Sequence, residues 1–386
     1  MPHFPFFFAS FAWNYGLGMT WLVIPLYAHA QGLSAAEIGV LFSVPVVAQI
    51  AINLVGGAYT DRVGGRLVML VSCLAMAVSG VQLIFAEGFW MLFVGQSIMV
   101  LSRAAFWPAN WAIASELPGA RGLQVGRLNA TGSLAQILGN TSCGFVIAVF
   151  GFEAALAGVA ALGLMSFAST FGVPARTARP ASTGGLYGNY LRLARMPIMY
   201  YMLMCGYLSS LPITLSMTFL PILLKEFGHG EALSGVLLAL RAIGGIGANL
   251  MLPRFISTGP TSRWPIYGGL AVALSVGLLP ALTHGAVIGS LLFAVGIGAG
   301  IMTLYVQITI TESTPTAMRG SALALLGLGW SFSHLTTPLI AGLLSEQFGT
   351  AVGVHALGGL ALCFVMALVG TRRWAFKSVL NPDRKP

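Results

Sequence analysis

Apolar runs of about 20 residues recur along this chain with only short polar interruptions. At 1.5 Å per residue, each run is long enough to cross ~30 Å of hydrocarbon as a helix. Such windows fall near residues 6–29, 36–58, 67–86, 89–115, 124–149 and 153–173, and again near 198–224, 232–254, 264–283, 286–312, 321–345 and 350–371. Within a bilayer every backbone polar group has to be satisfied inside the protein, so the pattern predicts an all-α membrane protein with twelve transmembrane helices. The one long polar connection, PARTARPASTGGLYGNYLRLARMP at 174–197, is the expected boundary between an N-terminal six-helix half over 1–173 and a C-terminal half over 198–386 that ends in a short tail.

Composition agrees with this pattern. Hydrophobic residues make up 57% of the chain and charged residues 8%, against roughly 25% charged in an ordinary soluble domain. The opening MPHFPFFFASFAWNYGLGMTWLVIPLYAHAQ has no positive leading region and too long an apolar run for a secretory signal, so it is expected to stay as the first span. Cys73, Cys143, Cys205 and Cys363 all fall in apolar runs with no CxxC pair, and are read as inert buried thiols; no metal site is expected. Motifs of the HExxH, GxSxG and P-loop kinds are missing, and GIGAG at 296–300 lies within a span, so no cofactor and no enzymatic activity are expected.

The formal net charge of +9 resolves into a topology signal. With both termini in the cytoplasm, 16 of the 19 Lys and Arg residues fall on the cytoplasmic side, and only Lys225 faces outward. A multi-pass inner-membrane protein is the expectation, and without a basic soluble domain there is no nucleic-acid partner. Two basic residues remain, Arg103 and Arg241, both near the middle of their spans, while the ten acids all lie in loops or at helix ends. Arg241 is the single charge in GVLLALRAIGGIGANL, residues 235–250.

That segment also belongs to a repeat. At an offset of 196 residues it aligns with GVLFSVPVVAQIAINL at 39–54, identical at six of sixteen positions. ELPGARG at 116–122 is echoed by ESTPTAMRG at 312–320, so the two six-helix bundles are expected to be pseudo-symmetric copies. Arg241 overlies Pro45 and Arg103 overlies the region of Gly298 to Gly300; neither arginine is duplicated.

After the second span comes GGAYTDRVGGR, 56–66. It resembles the signature loop between the second and third helices of the major facilitator superfamily, with Gly57, Tyr59, Asp61, Arg62, Gly64 and Arg66 in the family's order and Gly65 where a basic residue is usual. The resemblance covers the whole chain and implies a twelve-helix secondary transporter working by alternating access. In it, Gly57, Asp61, Arg62, Gly64 and Arg66 would form a cytoplasmic gating latch. The second-half counterpart, LPRFISTGPTSR, lacks the aspartate, and GNTSCG at 139–144 departs from the Gly-Pro-x-x-Gly-Gly of family antiporters.

A charge at mid-membrane costs ~2.5–3.5 kcal/mol on insertion scales, so two unpaired arginines call for a partner or a water-filled cavity. The family places its cavity between the halves, and there an anion held by one arginine from each half would bridge them. Trp107 and Asn110 follow Arg103 on one helical face, and Trp330 and His334 share another; Asn14, Gln307 and Tyr207 are further candidate lining groups. His334 is the candidate for proton coupling or a third substrate contact. The expectation is a monomer in the lipid bilayer that moves a small organic anion, a carboxylate-bearing metabolite or chelator, with the proton as coupling ion. The alternatives are a proton-driven multidrug or metabolite exporter, which usually carries an acid at mid-membrane, and a membrane-embedded enzyme or sensor.

Overall fold

The structure, a computed structural model, describes residues 3–118, 121–174, 193, 195–313 and 319–376; for 53–62, 115, 121–122, 311 and 319–324 only the backbone is described. The described residues form twelve α-helices and no strand. They are α1 (Phe4–Ala30), α2 (Ala35–Val63), α3 (Gly65–Ile84), α4 (Gly88–Glu116), α5 (Arg121–Thr170), α6 (Pro197–Ser216), α7 (Phe219–Glu226), α8 (Glu231–Met251), α9 (Trp264–Leu278), α10 (Gly285–Ser313), α11 (Arg319–Phe348) and α12 (Thr350–Ala375).

These helices match the expected spans with two local differences. The fifth and sixth spans run as one 50-residue element that turns only at Gly151 (φ 85°, ψ 178°), a left-handed conformation that a Cβ would strain. The seventh span is broken: α6 stops at Ser216, and the chain resumes as α7 after Thr218 at φ −131°, ψ −88°. Nine stretches among the described residues are long and apolar enough to cross a bilayer, and the one over Leu123–Thr170 has 48 residues, enough for two crossings. Large apolar side chains such as Trp90 (75% exposed), Leu250 and Phe150 stand on the outside of the helices, as a lipid-facing surface requires.

The internal repeat is visible in the backbone. Gly32, Gly64 and Gly151, all at positive φ, are followed by Gly228, Gly259 and Gly349, also at positive φ, at offsets of 196, 195 and 198 residues. The chain therefore turns left-handed at corresponding points of its two halves, which is stronger support for a duplication than the six matched residues.

By packing, the chain divides into two compact units: Met1–Ser182 with Ser216–Ala239, and Thr183–Leu215 with Leu240–Pro386. The segment after the break in the seventh span, α7 and the opening turns of α8, thus belongs to the first unit, whereas α6 belongs to the second.

Between helices in lipid, small residues supply the attraction by letting backbones touch. In the first unit, a Cβ on Gly18 would run into the backbone of Gln136, and one on Gly139 into the carbonyl of Tyr15, so α1 and α5 meet without side chains between them. Gly80 against Ala160 and Gly163 against Ala77 do the same for α3 and α5. In the second unit Gly268 faces Gly298 across α9 and α10, Gly358 faces Gly277, and Gly296 lies against the carbonyl of Arg241 where α8 crosses α10. Cys73, Cys143 and Cys205 are buried as expected, but Cys363 is exposed on α12, so its apolar sequence neighbourhood reflects lipid and not a core.

Gly18→Leu is expected to destabilise the first unit by about 1–3 kcal/mol through overpacking, read as a lower melting temperature in detergent. Gly126→Leu on α5, where an added Cβ meets nothing within 4 Å, is expected to be neutral or stabilising. Equal losses in the two variants would mean that α1 and α5 are not in backbone contact.

Candidate functional site

In the first unit the site grows from the middle of α4. Arg103 is half-buried, and its Nη2 donates to Oε1 of Gln49 on α2 at 2.8 Å. Its Nη1 lies 3.6 Å from the sulfur of Met217, at the break between α6 and α7. The arginine thus has partners, but both are neutral, and it makes no ion pair among the described residues. Gln49 is not among the residues that the sequence singles out; its signal is an amide, one of two with Asn53, in the apolar stretch VPVVAQIAINL.

One turn along α4, Trp107 packs edge-on to Trp13 (ring centroids 6.1 Å apart) and beside Trp111 at 5.5 Å. Trp13 is fully buried and stacks on Phe106 at 3.7 Å with the planes 5° apart, while its Nε1 donates to Ser102 at 3.3 Å. This aromatic block fixes α1 against α4 with apolar area and ring stacking together.

Below it runs a buried polar chain. Gln136 Nε2 donates to Asn14 Oδ1 (2.8 Å), Asn14 Nδ2 donates to the Ser10 carbonyl (2.8 Å), and the Ser10 hydroxyl donates to Asn110 Oδ1 (2.7 Å). Two predicted residues, Asn14 and Asn110, are joined here through Ser10, with Gln136 bonded to Asn14; neither Ser10 nor Gln136 is among the residues that the sequence singles out. The chain ends on Asn110 Nδ2, a buried donor with no hydrogen-bond partner among the described residues. An unsatisfied donor of this kind favours an acceptor group, from water or a ligand.

The second unit holds the other candidates. Arg241 on α8 is only 6% exposed, and its Nε has no hydrogen-bond partner among the described residues. It makes no ion pair there either. A guanidinium cannot shed its charge at any relevant pH, so the charge stays in place with no countercharge among the described residues.

Where α6 meets α11, three predicted residues converge. Tyr207 pairs its hydroxyl with Thr336 at 2.9 Å and stacks on Phe364 at 4.6 Å. His334, buried, has Nδ1 2.8 Å from the carbonyl of Trp330 and 3.3 Å from the hydroxyl of Ser210. A carbonyl only accepts, so the neutral ring carries its proton on Nδ1. Trp330 is 39% exposed with its ring edge toward Gly206, so it does not share the burial of His334 four residues on. Gln307 is exposed on α10 and engaged elsewhere.

The expected latch is described only in part. The side chains of Gly57, Asp61 and Arg62 lie outside the described residues. Gly64 makes the left-handed turn between α2 and α3 (φ 87°). Arg66 Nη2 donates to the carbonyl of Phe171 at 2.8 Å, tying the start of α3 to the end of α5. Among the described residues no three His, Cys, Asp or Glu side chains are placed to hold a metal ion.

Twelve helices, a duplicated half and the turn at Gly64 lead to one class of fold, and comparison gives it a family. The sequence profile of the Major Facilitator Superfamily matches residues 6–331. The chain belongs to that superfamily, a family of membrane transporters and not of enzymes.

The multidrug resistance protein MdtG of Proteus mirabilis is 22% identical over 360 residues, covering 89% of this chain and 88% of that protein. The quinolone resistance protein NorA of Staphylococcus aureus is 27% identical over 120 residues, 31% of this chain. That match spans only 28% of NorA's own length. Among solved structures, a bacterial homologue of the human lysosomal transporter Spinster, inward-facing and unoccupied, superposes with a TM-score of 0.78 at 13% identity, covering 100% of this chain and 99% of that one. At that identity the likeness is one of fold.

Replacing Asn14 by Leu is expected to destabilise the protein by about 1–3 kcal/mol, because the half-buried donor of Gln136 loses its acceptor. Adding Gln136→Met should recover part of that loss in thermal unfolding. Strictly additive losses would rule out the hydrogen bond as the coupling between them.

Proposed function

We propose that this protein is a secondary transporter that moves a small organic anion, a carboxylate-bearing metabolite or chelator, across the bacterial inner membrane by alternating access. The observation that carries the reading is the charge balance of the interior. Each unit holds one arginine at mid-span, Arg103 with two neutral partners and Arg241 with no ion pair among the described residues. An anionic substrate supplies the missing countercharge, and a planar guanidinium binds a carboxylate at two points. Trp107, Asn110 and Asn14 in the first unit, and Tyr207, Gln307, Trp330 and His334 in the second, are the neutral and titratable groups that would shape such a site. We assign to His334 the coupling proton, since imidazole is the side-chain type whose ordinary range lies nearest neutral pH.

The remaining assignments belong to the same reading. Both termini are cytoplasmic, by the distribution of Lys and Arg. The functional protein is a monomer whose halves are 1–173 and 198–386 joined by the loop 174–197, and Gly57, Asp61, Arg62, Gly64 and Arg66 gate its cytoplasmic end.

A second reading, a proton-driven multidrug exporter, is favoured by the similarity to MdtG along 89% of this chain. Against it stands the placement of all ten acids in loops or at helix ends, because an exporter of cationic drugs needs a negative group at the depth of its substrate.

Transport into proteoliposomes across a panel of mono-, di- and tricarboxylates, with ethidium as the cationic control, separates the two readings. Carboxylate uptake is expected in the wild type, stimulated by an imposed pH gradient and reduced at least tenfold in Arg103→Lys and in Arg241→Lys. Ethidium movement with both lysine variants fully active would sink the anion reading.

A further inference from the structure

The side chain that holds Arg103 cannot neutralise it. A guanidinium only donates hydrogen bonds, so the 2.8 Å contact from Nη2 fixes the amide of Gln49 with its oxygen toward the arginine. The amide nitrogen then remains a donor beside the same cation. Nη1 faces the thioether of Met217 at 3.6 Å, a weak neutral acceptor. The group therefore offers several donors and one full positive charge, with its only acceptors occupied. That combination suits an oxyanion and disfavours a cation.

The residue type at 49 decides this. A glutamate there would reach the guanidinium in the same geometry, form an ion pair, and leave nothing for an anion to balance. A residue such as leucine would leave the charge intact but the guanidinium unplaced, free to swing on a flexible stem. Glutamine gives placement without neutralisation. The second unit has no equivalent: 196 residues on from Gln49 stands Gly245, packed against α10, and the arginine of that unit sits on α8 itself.

We propose that Gln49 is a specificity-determining positioning residue, which orients Arg103 across the seam of α2 and α4 while leaving its charge available, and so sets the preference of this unit for an anion. The proposal rests on the organic-anion reading above.

It is tested on the purified full chain in detergent by thermal unfolding, with citrate, succinate and inorganic phosphate as probes. The variants are Gln49→Glu, Arg103→Gln, their combination, and Gln49→Asn. Without probe, Gln49→Glu should raise the melting temperature by about 2 °C because it gives a half-buried cation, whose present partners are neutral, a countercharge. In the Arg103→Gln background the same change should lower it, since the carboxylate is then alone. Stabilisation by the probes, present in the wild type, should weaken at least tenfold in apparent affinity in Gln49→Glu and be kept in Gln49→Asn.

If Gln49→Glu leaves the response to probes intact, or shifts stability equally in both backgrounds, the proposal is overturned while the anion reading stands. If no probe stabilises the wild type and none is transported, the anion reading falls and takes the specificity assignment with it; the wild type alone shows which has happened. Should Gln49→Glu not fold, the exchange Gln49→Arg with Arg103→Gln keeps both groups on swapped helices. It is expected to retain the probe response, and loss of that response in a folded exchange variant overturns the proposal.

Discussion

Helices in hydrocarbon gain nothing from hiding apolar surface from one another, because lipid tails are as apolar as leucine. What holds them is close contact of backbones, and this protein secures it with glycine. Gly18 and Gly139 bring α1 onto α5, and Gly268, Gly296 and Gly298 bring α8 and α9 onto α10. Polar bonds between helices need the same closeness. The buried chain from Gln136 through Asn14 and Ser10 to Asn110 spans three helices, and bonds of 2.7–2.8 Å form only if the helices are already that close. The tie between Arg103 and Gln49 likewise requires α2 and α4 to lie close.

Burial of charge is the second constraint, and it opposes the first. Tight seams exclude water, so a cation set among them loses hydration that only a partner can replace. The acids stay at the helix ends, as in the pair of Lys225 with Glu231 at 3.2 Å just outside the start of α8. The interior keeps two arginines, and among the described residues Arg103 meets neutral partners while the Nε of Arg241 meets none. Under the anion reading proposed above, binding and release of substrate would change that balance, and with it the conformational equilibrium.

Much of the architecture was legible in the sequence because lipid imposes a coarse rule, a length of about 20 apolar residues, that composition cannot disguise. The spans, the duplication and both arginines follow from counting. The break after Ser216 was not legible, since SMTFLP contains no glycine and its proline follows the break instead of causing it. Nor was the exposure of Cys363, because a lipid-facing residue and a core residue look alike in a run of apolar letters. At the site, charge announced itself and neutrality did not. Gln49, Ser10 and Gln136 are short of any motif, and only the helix neighbours supplied by the fold give them meaning. Trp330 and His334 show the limit of spacing arguments: four residues apart on one helix, one is exposed and the other buried.

The left-handed glycines set the turns apart from the interior charges. Gly32, Gly64 and Gly151 recur as Gly228, Gly259 and Gly349 at nearly constant offset, whereas Pro45 stands at the position corresponding to Arg241. Turns shared by both copies are the part of the chain that the duplication can account for, whereas Arg103 and Arg241 each stand in one copy alone. The hairpins and the interior charges are thus under separate constraints: a turn needs a glycine wherever the backbone goes left-handed, and a mid-span charge can be set in one half without its counterpart in the other.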